Sequence, residues 1–242
     1  MSTGDLRRAA WRGAWLRLFR LAQRYFRFEV EGFEHLRGPA ALLVGYHGGP
    51  WSLDVFMLSA KLHDELGHLP RAVFLSTWGA VPVLRDMVEA LDGLYGPPTE
   101  ADVALMRARG QHLVVLPGGT REALRPFWRR GRVDFGARRG YLQVALRHGL
   151  PVIPTVGLGV DKTFIGVSDG YATSKRLFST GDIPLWLGLG VGGVWPLAMP
   201  FPVRITQRVG APIDVSTIAR EQGLERAHEV VVTTLQAMLD EA

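Results

Sequence analysis

His47 and Asp54 bracket the segment His47-Gly48-Gly49-Pro50-Trp51-Ser52-Leu53-Asp54. A carboxylate bonded to one imidazole nitrogen fixes the tautomer and leaves the other nitrogen free to take a proton. In a continuous helix the two side chains would lie two turns apart, roughly 10 Å, too far to bond. Gly48, Gly49 and Pro50 forbid that helix and demand a tight loop, which can fold Asp54 back onto the ring from the start of the next helix. The pair then forms the base half of a triad that lacks a protein nucleophile, with the substrate supplying the attacking hydroxyl. On spacing alone, a purely structural glycine turn would show the same pattern. The chain has no cysteine, which excludes a thiolate nucleophile and a cysteine-ligated zinc. Gly166-Val167-Ser168 does not continue into a nucleophile elbow.

A second segment, Leu116-Pro117-Gly118-Gly119-Thr120-Arg121-Glu122-Ala123-Leu124-Arg125-Pro126, follows a short apolar run. Gly118 and Gly119 let the backbone approach a ligand, and free N–H groups near Thr120 can meet an anion or a developing oxyanion. Arg121 adds a positive fork suited to phosphate or carboxylate. The segment lacks the Gly-Lys-Ser/Thr ending of a nucleotide-binding phosphate loop. A plain strand-to-helix turn is the alternative reading.

Together the two segments resemble the glycerolipid and lysophospholipid acyltransferase superfamily. His47 to Asp54 is similar to its His-(x)n-Asp motif, and Leu116 to Leu124 resembles its Pro-Glu-Gly-Thr-Arg block. The closer likeness is to the Pro-Gly-Gly-x-x-Glu-Ala form of the diacylglycerol and monoacylglycerol acyltransferase branch. Further blocks agree in order: Arg139-Gly140-Tyr141, Leu150 to Pro154, and the closing segment from Pro200 to Pro212. Two positions depart from the pattern. The common form places Asp five residues after His, where this chain has Ser52, so either Ser52 replaces the acid or the loop is two residues longer and uses Asp54. We favour the longer loop. The usual Glu of the second block is Gly118, which shifts weight from a phosphorylated acceptor toward a neutral lipid alcohol. The resemblance implies acyl transfer from acyl-CoA or acyl-carrier protein to a glycerolipid or lysophospholipid hydroxyl, with His47 as base, Asp54 as its partner and no cofactor or metal. Gly118, Gly119, Thr120, Arg121 and Glu122 would contact substrate.

These residues need a frame. Apolar runs at 40–46, 112–117 and 150–159 read as buried strands. Phe26–Leu36, Arg71–Ser76 and Pro202–Ile213 are strand-like. Helical patterns occupy 54–66, 82–92, 99–110 with Thr99 as cap, 138–149 and 224–239. Such alternation predicts one α/β domain, residues 29–242, with a central mostly parallel or mixed sheet flanked by helices.

An amphipathic helix, residues 1–28, precedes it. Trp11, Trp15, Leu18, Ala22 and Tyr25 recur at spacings of three and four, with Arg17, Arg20, Arg24 and Arg27 on roughly the opposite face. Seven arginines and no acidic residue lie between Arg7 and Arg27, within a net charge of +5. That pattern predicts contact with a membrane lipid surface, with packing onto the domain as a compatible alternative. The expectation is a peripheral or monotopic protein on the cytoplasmic face, without a nucleic-acid partner. Residues 183–203 form an uncharged run of bilayer length, but its four prolines and four glycines oppose a regular spanning helix. A membrane-dipping or substrate-covering loop and buried core both stay open. The rival functions are a thioester or ester hydrolase using the same His–Asp pair, and a lipid- or nucleic-acid-binding module built on the basic N-terminus.

Overall fold

The computed structural model describes residues 3–74, 76–178 and 185–241. In chain order the elements are α1 (Thr3–Tyr25), β1 (Glu29–Glu31), β2 (Leu42–Gly45), α2 (Leu53–Leu66), β3 (Arg71–Phe74), α3 (Pro82–Ala90), β4 (Leu94–Tyr95), α4 (Glu100–Ala108), β5 (Leu113–Val115) and α5 (Gly119–Ala123). The chain continues through α6 (Gly140–His148), β6 (Val152–Leu158), β7 (Ile165–Ser168), α7 (Tyr171–Phe178), β8 (Leu187–Gly190), β9 (Gly193–Val194), β10 (Thr206–Val209), α8 (Val215–Gln222) and α9 (Leu224–Asp240).

Seven strands form the main sheet in the order β1-β10-β6-β2-β5-β3-β4. From β6 to β4 all neighbours are parallel, whereas β10 runs antiparallel to β6 and carries β1 parallel beside it. The central strands β2, β5 and β6 are the apolar runs of the sequence. Leu42, Leu43, Val44, Leu113, Val114, Val152 and Ile153 are all buried, as expected for strands covered on both faces. Helix α4 begins with a capping box in which the Thr99 side chain accepts from Asp102 N–H, while Asp102 accepts from Thr99 N–H.

Three expectations need adjustment. Only Glu29–Glu31 of the first strand-like stretch pairs. Gly32 then turns the chain at φ 74 into a 3₁₀ turn, Phe33–Arg37, where a Cβ would lie 2.1 Å from Val209 O. In α1 the inner face is Trp15, Leu16 and Phe19, packed against Met57 and Ala60 of α2 and against Leu91. Leu18 therefore turns outward at 59% exposure, and Leu21 beside it at 61%. The arginines are divided as well. Arg12 donates to Ala90 O at 2.8 Å and pairs with Asp92, and Arg20 pairs with Asp64, whereas Arg17 and Arg24 stay exposed.

The third adjustment concerns the long uncharged run. Residues 183–184 lie outside the described residues; from Leu185 the run builds β8 and β9, which form a separate three-stranded antiparallel sheet with β7. Among the described residues no helix is long and apolar enough to cross a membrane. Trp186 and Ala198 point inward, but Ile165, Leu189 and Val194 sit in register across the three strands and face solvent. Leu197 beyond them is 91% exposed. This sheet adjoins α1, since Tyr25 Oη donates to Pro200 O at 2.8 Å and Arg27 donates to Pro202 O at 3.1 Å.

Candidate active site

Strands β2 and β5 are parallel neighbours with Val44 opposite Val115, so the chain leaves both on the same side of the sheet. It leaves β2 at Tyr46-His47 and β5 at Leu116-Pro117-Gly118. Ligands of open α/β sheets bind outside such carboxyl ends. The two segments found in the sequence thus meet through the fold.

Glu122 joins them. Its carboxylate is 1% exposed. It accepts the His47 N–H on Oε2 at 2.9 Å and the Asp134 N–H on Oε1 at 2.6 Å. Burial raises its pKa, with the two N–H donors opposing that shift. A Cβ at Gly118 would lie 1.9 Å from the Glu122 carboxyl carbon, so the carboxyl already fills the space of any side chain at 118. Arg138 closes the turn from outside by donating to Pro117 O at 2.9 Å and Gly118 O at 2.6 Å. Gly119, at φ 53, spends its N–H on Leu116 O. That leaves the N–H groups of Gly118 and Thr120 as the candidate backbone donors of the turn. Thr120 Oγ1 accepts from Tyr171 Oη at 3.2 Å, and half-exposed Arg121 pairs with Asp134.

The loop after β2 folds tightly, for two reasons visible in its backbone. Gly48 packs against Val160, where a Cβ would approach to 2.1 Å, and Gly49 adopts φ 70. Ser52 is also left-handed, at φ 46 and ψ 43, an uncommon state for a residue with a side chain. It caps no N–H of α2; its Oγ lies 3.3 Å from His47 Nε2 instead. Loss of hydration lowers the His47 pKa to about 4, so the half-buried ring is neutral at pH 7, with a lone pair open to a proton.

Asp54 sits in the first turn of α2 and is 1% exposed. No hydrogen bond joins it to His47. Both its oxygens, and His47 Nδ1, are buried without a hydrogen-bond partner. The Asp54 carboxylate lies against β6 instead. Gly45 pairs with Thr155 of β6, and Tyr46 N–H still donates to Thr155 O. Two residues beyond Thr155, a Cβ at Gly157 would lie 2.4 Å from Asp54 Oδ2, so the carboxylate packs on β6 just past the end of its pairing with β2. Burial raises the Asp54 pKa to about 7.

The fold therefore brings Ser52 and Glu122 into contact with His47, leaves Asp54 buried against β6 without a bond to it, and leaves Arg121 on the rim. One pairing next to the site carried no signal in the sequence. Tyr46 Oη donates to Asp161 Oδ2 at 2.7 Å, and Gly131 N–H reaches the same oxygen. Asp161 is 115 residues from Tyr46, so only the fold reveals the pair. Among the described residues no group of three or more His, Asp or Glu is placed to hold a metal ion.

Known proteins agree with this architecture. The crystal structure of the 1-acyl-sn-glycerophosphate (LPA) acyltransferase PlsC from Thermotoga maritima superposes with a TM-score of 0.58 at 16% identity, covering 100% of this chain and 84% of that one. At that identity the match speaks for the fold. A mouse protein named "DGAT1/2-independent enzyme synthesizing storage lipids" is 28% identical over 214 residues, covering 88% of this chain. This chain spans 60% of that relative's length. Bovine "Diacylglycerol O-acyltransferase 2" is 23% identical over 264 residues, covering 97% of this chain and 70% of the relative. The sequence profile described as "Diacylglycerol acyltransferase" matches residues 3–242, and the chain belongs to that family.

Proposed function

We propose that this protein transfers a fatty acyl group from a thioester to the hydroxyl of a neutral glycerolipid at a membrane surface. The observation that carries the reading is His47 Nε2, which is neutral and faces a hydroxyl, Ser52 Oγ, at 3.3 Å. An acceptor hydroxyl arriving there would give its proton to Nε2 while its oxygen forms a bond to the thioester carbonyl carbon. Collapse of the tetrahedral intermediate breaks the carbon–sulfur bond, and the imidazolium returns the proton to the departing thiolate. The N–H groups of Gly118 and Thr120 would meet the oxyanion. Asp54, once ionised, would stabilise the imidazolium.

The membrane contact rests on a second observation. Leu18 and Leu21 of α1 adjoin, through the Tyr25–Pro200 bond, the outward face formed by Met199, Leu197, Val194, Leu189 and Ile165. Arg17 and Arg24 flank that apolar surface. Such a combination suits insertion into the head-group region of an anionic bilayer. A ring contact between Trp195 and Trp51 links the surface to the His47 loop.

Purified protein with labelled acyl-CoA and a panel of lipid alcohols tests the reaction. Labelled ester is expected with a neutral glyceride. Labelled free acid as the sole product, whatever alcohol is added, would identify a hydrolase and end the proposal. Flotation with anionic vesicles tests the surface: Leu197→Asp together with Met199→Asp should reduce the bound fraction several-fold, and unchanged flotation would discard this face.

A further inference from the structure

Two carboxylates flank the Tyr46–His47 peptide, and each ties it to the same distant segment. Glu122 accepts the His47 N–H on one oxygen and the Asp134 N–H on the other. Asp161 lies in the 3₁₀ turn Val160–Thr163 that follows β6. Its Oδ2 accepts the Tyr46 hydroxyl at 2.7 Å and the Gly131 N–H at 3.2 Å. The Gly131 N–H also lies 3.3 Å from Tyr46 Oη. Residues 131–134 and residues 46–47 are thus joined twice, through two acids from other parts of the chain. Burial raises the Asp161 pKa, and the Tyr46 hydroxyl and the Gly131 N–H oppose that shift, the same balance as at Glu122.

The turn that carries Asp161 also supports the chain beyond His47. Gly48 packs on Val160, and a Cβ at Gly49 would lie 3.4 Å from Thr163 Oγ1, which donates to Val160 O at 2.6 Å. Val160–Thr163 therefore meets the loop on both sides of His47. Residues 131–134 are fastened in turn by Gln236 of α9, whose Oε1 accepts the Val133 N–H at 2.9 Å and whose Nε2 donates to Gly131 O at 3.0 Å. Tyr46 does two things here: its ring belongs to the main core, and its hydroxyl reaches Asp161. Phenylalanine would serve the first as well, and a buried hydroxyl costs stability unless it is bonded. We infer that Tyr46 and Asp161 are positioning residues for His47: together with Glu122 they fix its backbone, so that only the ring torsions stay free when the acceptor hydroxyl arrives. The inference rests on His47 being the base of the reaction proposed above. A small misplacement of a reacting group is enough to cost a large factor in rate.

Tyr46→Phe removes the hydroxyl and keeps the packed ring. It should lower kcat about tenfold and leave KM for donor and acceptor nearly unchanged. Asp161→Leu should do the same, whereas Asp161→Asn keeps an acceptor for the phenol and should recover most of the loss. Tyr46→Phe combined with Asp161→Leu should be little worse than either alone, since both break one bond. Gln236→Ala acts from the far end of the bridge, at a half-exposed position on α9, and should lower kcat by a smaller factor. Carbethoxylation of His47 by diethyl pyrocarbonate, read by peptide mapping, needs no turnover. Its rate should rise several-fold in Tyr46→Phe and in Gln236→Ala as the ring leaves its half-buried seat. Unchanged kcat with an unchanged modification rate in Tyr46→Phe would overturn the assignment. So would equal losses in Asp161→Asn and Asp161→Leu, or a KM that rises while kcat holds. The two proposals fail separately: a parent protein that forms no ester, but whose His47 reacts faster in Tyr46→Phe, would sink the acyl-transfer reading alone.

Discussion

The turns that follow β5 and β2 meet at one site but are built in opposite ways. After β5, nearly every polar group is engaged: Glu122 accepts two N–H groups, Arg138 donates to two carbonyls, and Gly119 bonds Leu116. After β2, His47 Nδ1 and both Asp54 oxygens are buried without a partner, and Ser52 is held left-handed. Unsatisfied buried groups cost stability. A segment that tolerates them beside one so fully braced divides the labour: the β5 turn is the frame, and the β2 loop carries the reactive groups. Strain concentrated next to a rigid support is a common arrangement at functional sites.

That contrast can be broken at several points. The largest effect should come from His47→Ala, which removes the proposed base. Ester formation should fall about 10²–10⁴-fold, the usual contribution of general-base catalysis, while the melting temperature changes little; near-normal turnover would remove His47 from the mechanism. Glu122→Ala attacks the frame instead. It strips two buried N–H groups of a shared acceptor, and hydrogen bonds to charged groups contribute about 1.5–3 kcal/mol each. Denaturant titration should show a loss of several kcal/mol alongside reduced activity. Unchanged stability would show that the brace is dispensable.

Gly157→Ala places a methyl group within 2.4 Å of Asp54 Oδ2, so the carboxylate or β6 must shift. Activity should drop roughly tenfold if Asp54 works from its present seat, since about 1.4 kcal/mol corresponds to that factor. A silent Gly157→Ala would count against Asp54 and leave Ser52 as the residue in contact with the ring.

The smallest effect is the most specific. A carboxyl whose folded pKa is raised binds more protons in the folded than in the unfolded state, so its contribution to stability falls as pH rises from the unfolded value toward about 7. Asp54→Asn should therefore melt higher than the parent protein at pH 8, with the gap closing by pH 4. His47 acts in the other direction. Its folded pKa of about 4 lies below the ordinary 6.5, so its contribution is present above 6.5 and lost as pH falls toward 4. In kinetics, kcat/KM of the parent should rise through pH 7 as Asp54 ionises, and Asp54→Asn should lack that limb. An identical profile in both proteins would detach the limb from Asp54.

The contrast between the two turns also explains what could be read in advance. The buried strands announced themselves because Leu42–Gly45, Leu113–Val115 and Val152–Leu158 are apolar on both faces. Helices α4 and α9 followed from a cap and from periodicity. The His47 and Gly118 segments were legible because glycines interrupt strong patterns at the strand ends. The inward turn of Glu122 was not legible, because it depends on a backbone N–H 75 residues away. Nor was the approach of Ser52 to the ring over Asp54, which is set by one left-handed residue rather than by spacing. The small sheet β7-β8-β9 escaped because Gly188, Gly190 and Gly193 blur its alternation, and because its apolar side chains face outward. An inward-facing core was the assumption behind the pattern rules.

The edge formed by β1 and β10 has a consequence for how the molecule is made. Glu29 takes the place opposite Thr206, and Glu29 N–H bonds Ile205 O. During synthesis on the ribosome, β6 therefore waits with a bare row of backbone donors and acceptors until about residue 209 has emerged. A nascent chain stalled before that point would offer a ready template for cross-pairing between copies, so termination between β6 and β10 should yield aggregates rather than a shortened folded domain.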